Sequence, residues 1–176
     1  MSLQLVPKWV HIWFMIASVL VTWDAFYSLL RPHSIAPNGF LSKLWAPYAL
    51  YQDVDKIYGT ERWQTGDRFC EAQSVCNLIE VGLQLAVLWL LRKKDSTAKD
   101  QSGAALLTLV VSTTTFWKTV LYWLYDIVGG FQSTGHNGVV RLVFIYLIPN
   151  GVWLVVPSMV MVQVGGNILR KLAKTD

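Results

Sequence analysis

Residues 69–91 form an apolar run that is long enough to cross a bilayer as one helix, yet the run carries polar side chains at a helical spacing. Gln73, Asn77, Glu80 and Gln84 follow one another at intervals of four, three and four residues, which places them in a narrow arc of one helix face. A carboxylate that faces lipid near the bilayer centre is costly. The run therefore predicts a membrane span whose polar face, with Glu80, looks inward onto a cavity or a partner helix.

Three further apolar runs, at about residues 9–30, 104–128 and 139–164, predict three more spans. The first run is too long for a signal peptide and lacks a small-residue cleavage pattern. Only 15% of the 176 residues are charged, where an average soluble domain carries about 25%. We predict an all-α fold with a single domain over residues 1–176: a bundle of four transmembrane helices with a long interfacial loop between helices 1 and 2.

The long loop, residues 31–66, contains helix breakers at Pro32, Pro37 and Pro47. Its central part, residues 41–59, mixes aromatic and charged side chains, which is typical of a segment that lies at the membrane interface as a lid. A solvated loop with a few membrane anchors is the alternative interpretation.

The distribution of basic residues predicts the orientation of the bundle. With four spans, the N-terminus, the connection at residues 92–100 and the C-terminal tail share one side of the membrane. Basic residues concentrate on that side: Lys8, Arg92, Lys93, Lys94, Lys99, Arg170, Lys171 and Lys174. The positive-inside rule therefore predicts that both termini are cytosolic.

Polar and aromatic side chains on four different spans are candidates for one shared site: Asp24, Glu80, Lys118, Asp126, Asn150 and Trp153. A carboxyl group kept protonated by burial can act as a general acid, and a second, ionised carboxylate can accept a proton or stabilise a cation. A tryptophan face also attracts cations. The combination favours acid-initiated chemistry on an alkene or epoxide through a carbocation.

Purely structural roles remain open at this point. Glu80 can simply pair with Lys118, and Asp24 can pair with Arg31 at the headgroup level. A transporter is a further alternative, although four short spans offer little room for a continuous polar path. Cys70 and Cys76 are six residues apart on one helix and therefore lie on different sides of it, so we expect no mutual disulfide. We predict that both are buried thiols.

Other function classes lack their sequence signatures. The three histidines are scattered, and no HxxxH or CxxC spacing indicates a metal site. There is no phosphate-binding loop, no nucleophile elbow and no basic, aromatic-interleaved surface for nucleic acid. We therefore expect no metal, no cofactor and no nucleic-acid partner.

Several short motifs resemble one family of membrane proteins. They are SKLWAPY at 42–48, VLYWLYD at 120–126, and GFQ at 130–132 ahead of a fourth span with Asn150, Trp153 and LVVP. TWDAFYSLL at 22–30 also places Asp24 where this family carries an acid. The chain resembles the EXPERA-domain proteins, which include the sterol delta-8, delta-7 isomerases (emopamil-binding proteins) and the sigma-2 receptors.

The resemblance implies an endoplasmic reticulum membrane protein with a sterol- or terpenoid-like substrate, whose acids handle protons while Trp153 faces the cationic intermediate. Two features differ from the isomerases, which have a further N-terminal span and carry a histidine where Leu20 stands here. Fungal members of the superfamily that resemble terpenoid or meroterpenoid cyclases need no such histidine. The sigma-2 receptors imply the alternative of a non-catalytic sterol-binding or trafficking protein.

The resemblance and the helix phase select different glutamates. Family spacing matches Glu71, whereas depth and the polar face select Glu80, and nine residues place the two on opposite faces of a helix. We therefore predict a catalytic set and a substrate-binding set. The catalytic set is Glu80, with Glu71 as its rival, and Asp24; the binding set is Trp153, Asn150, Asn77, Tyr122 and Asp126. The expected partners are the lipid substrate and the bilayer, and a homodimer is one expectation for the oligomeric state.

Overall fold

A computed structural model describes residues 4–174, and that part of the chain is helical with no β-strand. Four helices are long and apolar enough to cross a membrane, as predicted. We name them spans 1 to 4: Lys8–Leu29, Phe69–Arg92, Ala98–Val128 and Val139–Leu172. The predicted all-α, four-span architecture is confirmed, and the protein is a multi-pass membrane protein.

Two spans are longer than the apolar runs that predict them. Span 3 begins at Ala98 rather than at residue 104, because Thr97 and Asp100 form a capping box that ends the short connection. Span 4 continues past residue 164 to Leu172, where Arg170 and Lys171 lie in its last turn. Basic side chains interact favourably with a helix C-terminus, so the polar tail continues the helix.

Span 4 contains a π-helical segment at Leu142–Leu147. Pro149 follows directly and has no N–H group to donate to the carbonyl of Ile145, so the regular α-helical pattern is interrupted there. Such π-helical insertions occur frequently at functional sites. Here the segment carries Phe144 and Ile145, which line the cavity described below.

The spans pack in chain order, with span 1 on span 2, span 2 on span 3, and span 3 on span 4. Spans 1 and 4 meet near the N-terminal end of span 1. There the Trp9 indole donates to Gln163 at 2.7 Å, and the Trp13 and Trp153 rings lie 5.2 Å apart. Beyond Trp153, a cavity separates these two spans.

The connection between spans 1 and 2 is a folded lid, which we define as residues 31–66. It contains four short helical segments: Ser42–Trp45, Tyr48–Val54, Lys56–Tyr58 and Thr60–Gln64. The lid is fastened to the turn between spans 3 and 4, because the Lys56 amide donates to the Ser133 carbonyl at 3.1 Å and Asn137 donates to the Val54 carbonyl at 2.7 Å. This agrees with the predicted lid rather than with a loosely anchored loop.

The two cysteines differ in their surroundings. Cys70 is buried, as predicted, and its thiol lies 3.0 Å from the Ser28 hydroxyl. Cys76 is exposed on the outer face of span 2, so the prediction of a buried thiol is wrong there. A position six residues beyond Cys70 is rotated by about 240° around the helix, which turns Cys76 away from the bundle.

Candidate active site

A cavity of about 560 Å³ lies between the four spans and beneath the lid. Most of its wall is apolar or aromatic, and its polar side chains are concentrated on spans 2 and 3. The polar face predicted for span 2 points inward: Gln73, Asn77 and Glu80 line the cavity, and Gln84 is buried below them. Small-molecule sites are typically clefts of this size with a few convergent polar groups.

Asp24 of span 1 lines the cavity and is held by neutral hydrogen-bond donors. The hydroxyl of Tyr48 donates to its carboxylate, as do the hydroxyl of Tyr58 at 3.1 Å and the amide of Asn77 at 3.4 Å. Within residues 4–174, no Lys, Arg or His nitrogen lies within 4.0 Å of this carboxylate. Asp24 is therefore an acidic group in the cavity wall without an adjacent cation.

Glu80 of span 2 forms an ion pair with Lys118 of span 3, whose Nζ lies 2.8 Å from its carboxylate. Glu80 is 4% exposed, and it also accepts hydrogen bonds from Thr115 at 2.6 Å and from Gln84 at 3.2 Å. The pairing that the sequence leaves open as an alternative is therefore present. Because Glu80 has a cationic partner and two neutral donors, its charge is balanced within the bundle.

Asn77 connects the two acidic groups. Its amide nitrogen donates to Asp24, while its side-chain oxygen accepts a hydrogen bond from Lys118. The two contacts fix the orientation of the Asn77 amide, since the donor and acceptor ends of an amide are not interchangeable. A continuous polar chain thus runs from the lid through Asp24, Asn77 and Lys118 to Glu80.

The lid closes the cavity with a cluster of three tyrosines, Tyr48, Tyr51 and Tyr58, which all line it. The Tyr51 ring centroid lies 5.0 Å from that of Tyr58 and 5.7 Å from that of Tyr48. Burial raises the pKa of all three phenols above the usual value, so they remain neutral donors at physiological pH. Two of them supply the hydrogen bonds that hold Asp24.

Span 4 contributes Asn150 and Trp153 to the opposite wall. The Asn150 amide donates to the Tyr51 hydroxyl at 3.0 Å and to the Tyr146 carbonyl at 2.8 Å, which ties span 4 to the lid. Trp153 lies one turn further along the helix. Its indole lines the cavity and also packs against the ring of Trp13.

The structure brings together six of the eight site residues that the sequence predicts. The six that line the cavity are Asp24, Asn77, Glu80, Tyr122, Asn150 and Trp153. Glu71 does not line it, because its carboxylate lies 2.6 Å from the buried guanidinium of Arg31 and 3.9 Å from that of Arg68. The pairing of Asp24 with Arg31 is therefore not formed, since Arg31 pairs with Glu71 instead.

Asp126 also lies outside the cavity, and its predicted place in the binding set is corrected here. Its carboxylate accepts hydrogen bonds from the Ser133 amide at 2.8 Å and from the Thr134 hydroxyl. It is 4% exposed and holds the turn that follows span 3. Both features follow from its place near the end of span 3, beyond the depth of the cavity.

Sequence reasoning misses the lid residues of the site. Tyr48 and Tyr58 contact Asp24, yet the segment predicts only an aromatic lid and no individual contact. Lys118 is anticipated both as a partner for Glu80 and as a candidate for the shared site, and the structure places it in the cavity wall. One sequence pattern could have indicated the tyrosine contacts: the lid that follows span 1, which carries Asp24, is rich in aromatic residues.

The fold and the cavity define a class: a multi-pass α-helical membrane protein with a mostly apolar pocket that contains acidic side chains. No family model matches the chain. The chain is similar to the 3-beta-hydroxysteroid-Delta(8),Delta(7)-isomerases of Rattus norvegicus and Mus musculus, at 26% identity over 156 and 157 residues. These alignments cover 85% and 86% of this chain, which spans 60% of the length of each relative. The similarity is therefore to sterol isomerases, at low identity and over part of their length.

Proposed function

We propose that the protein is a membrane-embedded isomerase or cyclase that acts on a sterol- or terpenoid-like lipid through a carbocation. The observation that carries this proposal is the position of Asp24. Its carboxyl group lies in the wall of a mostly apolar cavity and contacts neutral donors only. A carboxyl group in such surroundings can exchange a proton with a bound hydrocarbon substrate.

The proposed reaction begins with proton transfer from Asp24 to an alkene carbon or an epoxide oxygen of the substrate. In the alkene, the π electron pair forms the new C–H bond and the C–C σ bond remains; in the epoxide, one C–O bond breaks and its electron pair stays on oxygen. Either step leaves a carbocation on the lipid. Loss of a proton from a neighbouring carbon gives a shifted alkene, which is an isomerisation. Attack by a second alkene of the same substrate before the proton is lost closes a ring instead.

The remaining wall residues support this chemistry in different ways. The Trp153 indole offers a π face to the cation, worth about 0.5–2 kcal/mol, and Asn150 anchors a polar end of the substrate. The Glu80–Lys118 pair adds no net charge to the cavity and fixes Asn77 against Asp24. This arrangement favours Asp24 over Glu80 as the proton-handling acid, and over Glu71, which pairs outside the cavity.

The names of the distant relatives support a sterol-like substrate, because both are Delta(8),Delta(7)-isomerases. Leu20 supports a cyclase as well, since it lines the cavity one turn before Asp24 and gives that wall an apolar surface. The space between spans 1 and 4 would admit a lipid from the bilayer. An endoplasmic reticulum location and cytosolic termini belong to the same proposal.

The proposal is tested with purified protein in lipid nanodiscs and a panel of Delta(8)-sterols and polyprenyl epoxides. We expect the wild type to convert at least one substrate, and Asp24→Asn to abolish conversion while substrate binding is retained. Asp53→Asn is the matched control, because Asp53 is an exposed lid residue outside the cavity wall. Binding without conversion by the wild type across the panel would favour a non-catalytic sterol-binding protein.

A further inference from the structure

Asp55 is a buried acid that the proposed reaction does not use. It lies in the lid between the segments Tyr48–Val54 and Lys56–Tyr58, and it is 0% exposed. Its carboxylate accepts hydrogen bonds from the Ile57 amide at 3.1 Å and from the hydroxyl of Tyr122. Within residues 4–174, no cationic nitrogen lies within 4.0 Å of it.

Tyr122 links this buried acid to the cavity. Its side chain lines the cavity wall, while its hydroxyl donates to Asp55 behind that wall. The Tyr122 ring lies 6.4 Å from the ring of Tyr58, whose hydroxyl donates to Asp24. The cavity therefore has two tyrosine–aspartate pairs, one at Asp24 and one at Asp55, which are connected through Tyr58.

We propose that Tyr122 and Asp55 accept the proton that leaves the carbocation. The inference rests on the proposed function, which requires a proton donor and a proton acceptor at different carbons of one substrate. As the C–H bond beside the cation breaks, its electron pair forms the new alkene, and the proton moves to the Tyr122 oxygen. The proton on the Tyr122 hydroxyl passes at the same time to Asp55, so the phenol is neutral before and after the step.

The hydrogen-bond direction fits this role. Because the Tyr122 hydroxyl already donates to Asp55, its oxygen lone pairs remain available as an acceptor. A C–H bond next to a carbocation is acidic enough for a neutral phenol oxygen to accept its proton. Tyr122 is the group that touches the substrate, and Asp55 is a positioning residue that acts through it.

The surroundings of Asp55 bring the pKa of its carboxyl group close to neutral pH. The pKa of its carboxyl group is raised to about 7, mainly by burial and to a smaller extent by the negative charge of Asp126. Hydrogen bonds from Tyr122, from the Ile57 amide and from Tyr51 act in the opposite direction. Titratable Cys70 and Tyr146 also face this region. A carboxyl group with this pKa can take up and release one proton in each turnover at neutral pH.

The first test compares Tyr122→Phe and Asp55→Asn with the wild type in turnover assays. We expect each variant to lower kcat roughly 100-fold, the scale of one general acid–base contribution. The wild-type rate should rise with pH through about 7 as Asp55 becomes ionised, and this dependence should disappear in Asp55→Asn. Tyr122→Phe keeps the aromatic ring, so it tests the hydroxyl alone if Asp55→Asn fails to fold.

Tyr125→Phe is the matched control. It removes another tyrosine–aspartate hydrogen bond from the same span, the contact with Asp67, and Tyr125 does not line the cavity. We expect the wild-type rate and pH profile from this variant. A wild-type rate and profile from both Tyr122→Phe and Asp55→Asn would overturn the proposal.

A second readout separates this proposal from the proposed function. Infrared difference spectroscopy follows the protonated carboxyl band during a pH titration, and it needs no turnover. We expect a band that titrates near pH 7, is absent in Asp55→Asn, and shifts to higher pH in Tyr122→Phe, which lacks the hydrogen bond that stabilises the carboxylate. If no such band titrates, the Tyr122–Asp55 relay is overturned whether or not a substrate is found.

Discussion

Lys118 lies 2.8 Å from the carboxylate of Glu80, and this ion pair leaves Asp24 as the acid of the cavity wall without an adjacent cation. The two acids therefore differ in kind, although both lie on membrane spans and face the same cavity. Glu80 is balanced by a charge and linked to its neighbours, whereas Asp24 contacts phenols and an amide. The division of roles proposed above follows from this difference.

Replacing either member of the Glu80–Lys118 pair should be strongly destabilising. Glu80→Met or Lys118→Met leaves the partner charge buried, which we expect to cost about 3–5 kcal/mol. The double variant should recover most of that loss, because no uncompensated charge remains. Thermal unfolding in detergent measures all three variants.

Lys93→Met is the control for that comparison. Lys93 forms a more exposed pair with Asp100 at 3.4 Å, where solvent screens the interaction, so we expect little change in stability. A double variant whose loss equals the sum of the two single losses would contradict a coupled pair.

The lid should loosen when Arg31 is replaced. Arg31 is buried, donates to the Ile57 carbonyl at 2.9 Å and pairs with Glu71, so it joins the lid to span 2. We expect Arg31→Met to increase the rate of tryptic cleavage within residues 31–66 severalfold. Arg68→Met is the control, because Arg68 is exposed and lies 3.9 Å from Glu71; equal cleavage of the two variants would argue against a specific role for Arg31.

Stability should depend on the ionisation of Asp55. Its pKa is raised from 3.8 to about 7 in the folded protein, so the folded state binds this proton more tightly than the unfolded state. The stabilisation is complete below about pH 4 and is lost as the pH rises to 7, with a total change of roughly 4 kcal/mol.

The difference in Tm between the wild type and Asp55→Asn isolates this contribution, because the other carboxyl groups are common to both proteins. We expect the wild type to lose stability relative to Asp55→Asn as the pH rises through this range. A Tm difference that stays constant with pH would show that Asp55 does not titrate there.

Trp153 should matter for turnover more than for binding. Trp153→Leu keeps an apolar wall but removes the π face, so we expect kcat to fall about 10-fold, which corresponds to about 1.4 kcal/mol. Trp117→Leu is the matched control, since Trp117 is 62% exposed on the outer face of span 3. An unchanged kcat in Trp153→Leu would mean that the indole is not a cation-stabilising surface.

The sequence predicts the spans and the inward face of span 2 because both depend on local periodicity. A membrane helix with one polar face is most stable when that face points away from lipid. The residue spacing alone therefore predicts that Glu80 is buried and that Asn77 faces the interior of the bundle. The possible pairing of Lys118 with Glu80 is visible for the same reason, since both lie near the centre of a span.

The partners of Asp24 and Glu71 depend on how the lid folds, which no local pattern specifies. Tyr48 and Tyr58 are 24 and 34 residues from Asp24 in the chain, and the rest of the lid separates Arg31 from Glu71. Whether Cys76 is buried could not be predicted from residue type, because a thiol is compatible with both a buried and a lipid-facing position. The pairing of Glu71 outside the cavity is made by a lid residue, Arg31, and helix phase alone does not predict that contact.

The most direct test of the central claim is the conversion of a Delta(8)-sterol or polyprenyl epoxide in D₂O by the wild type and by Asp24→Asn. If Asp24 delivers the proton that starts the reaction, the wild-type product of the Delta(8)-sterol carries one carbon-bound deuterium atom from solvent, whereas an opened epoxide carries its deuterium on an exchangeable hydroxyl group. With either substrate, Asp24→Asn forms no product above the enzyme-free control. Product formation by Asp24→Asn at the wild-type rate would contradict the proposed role of Asp24.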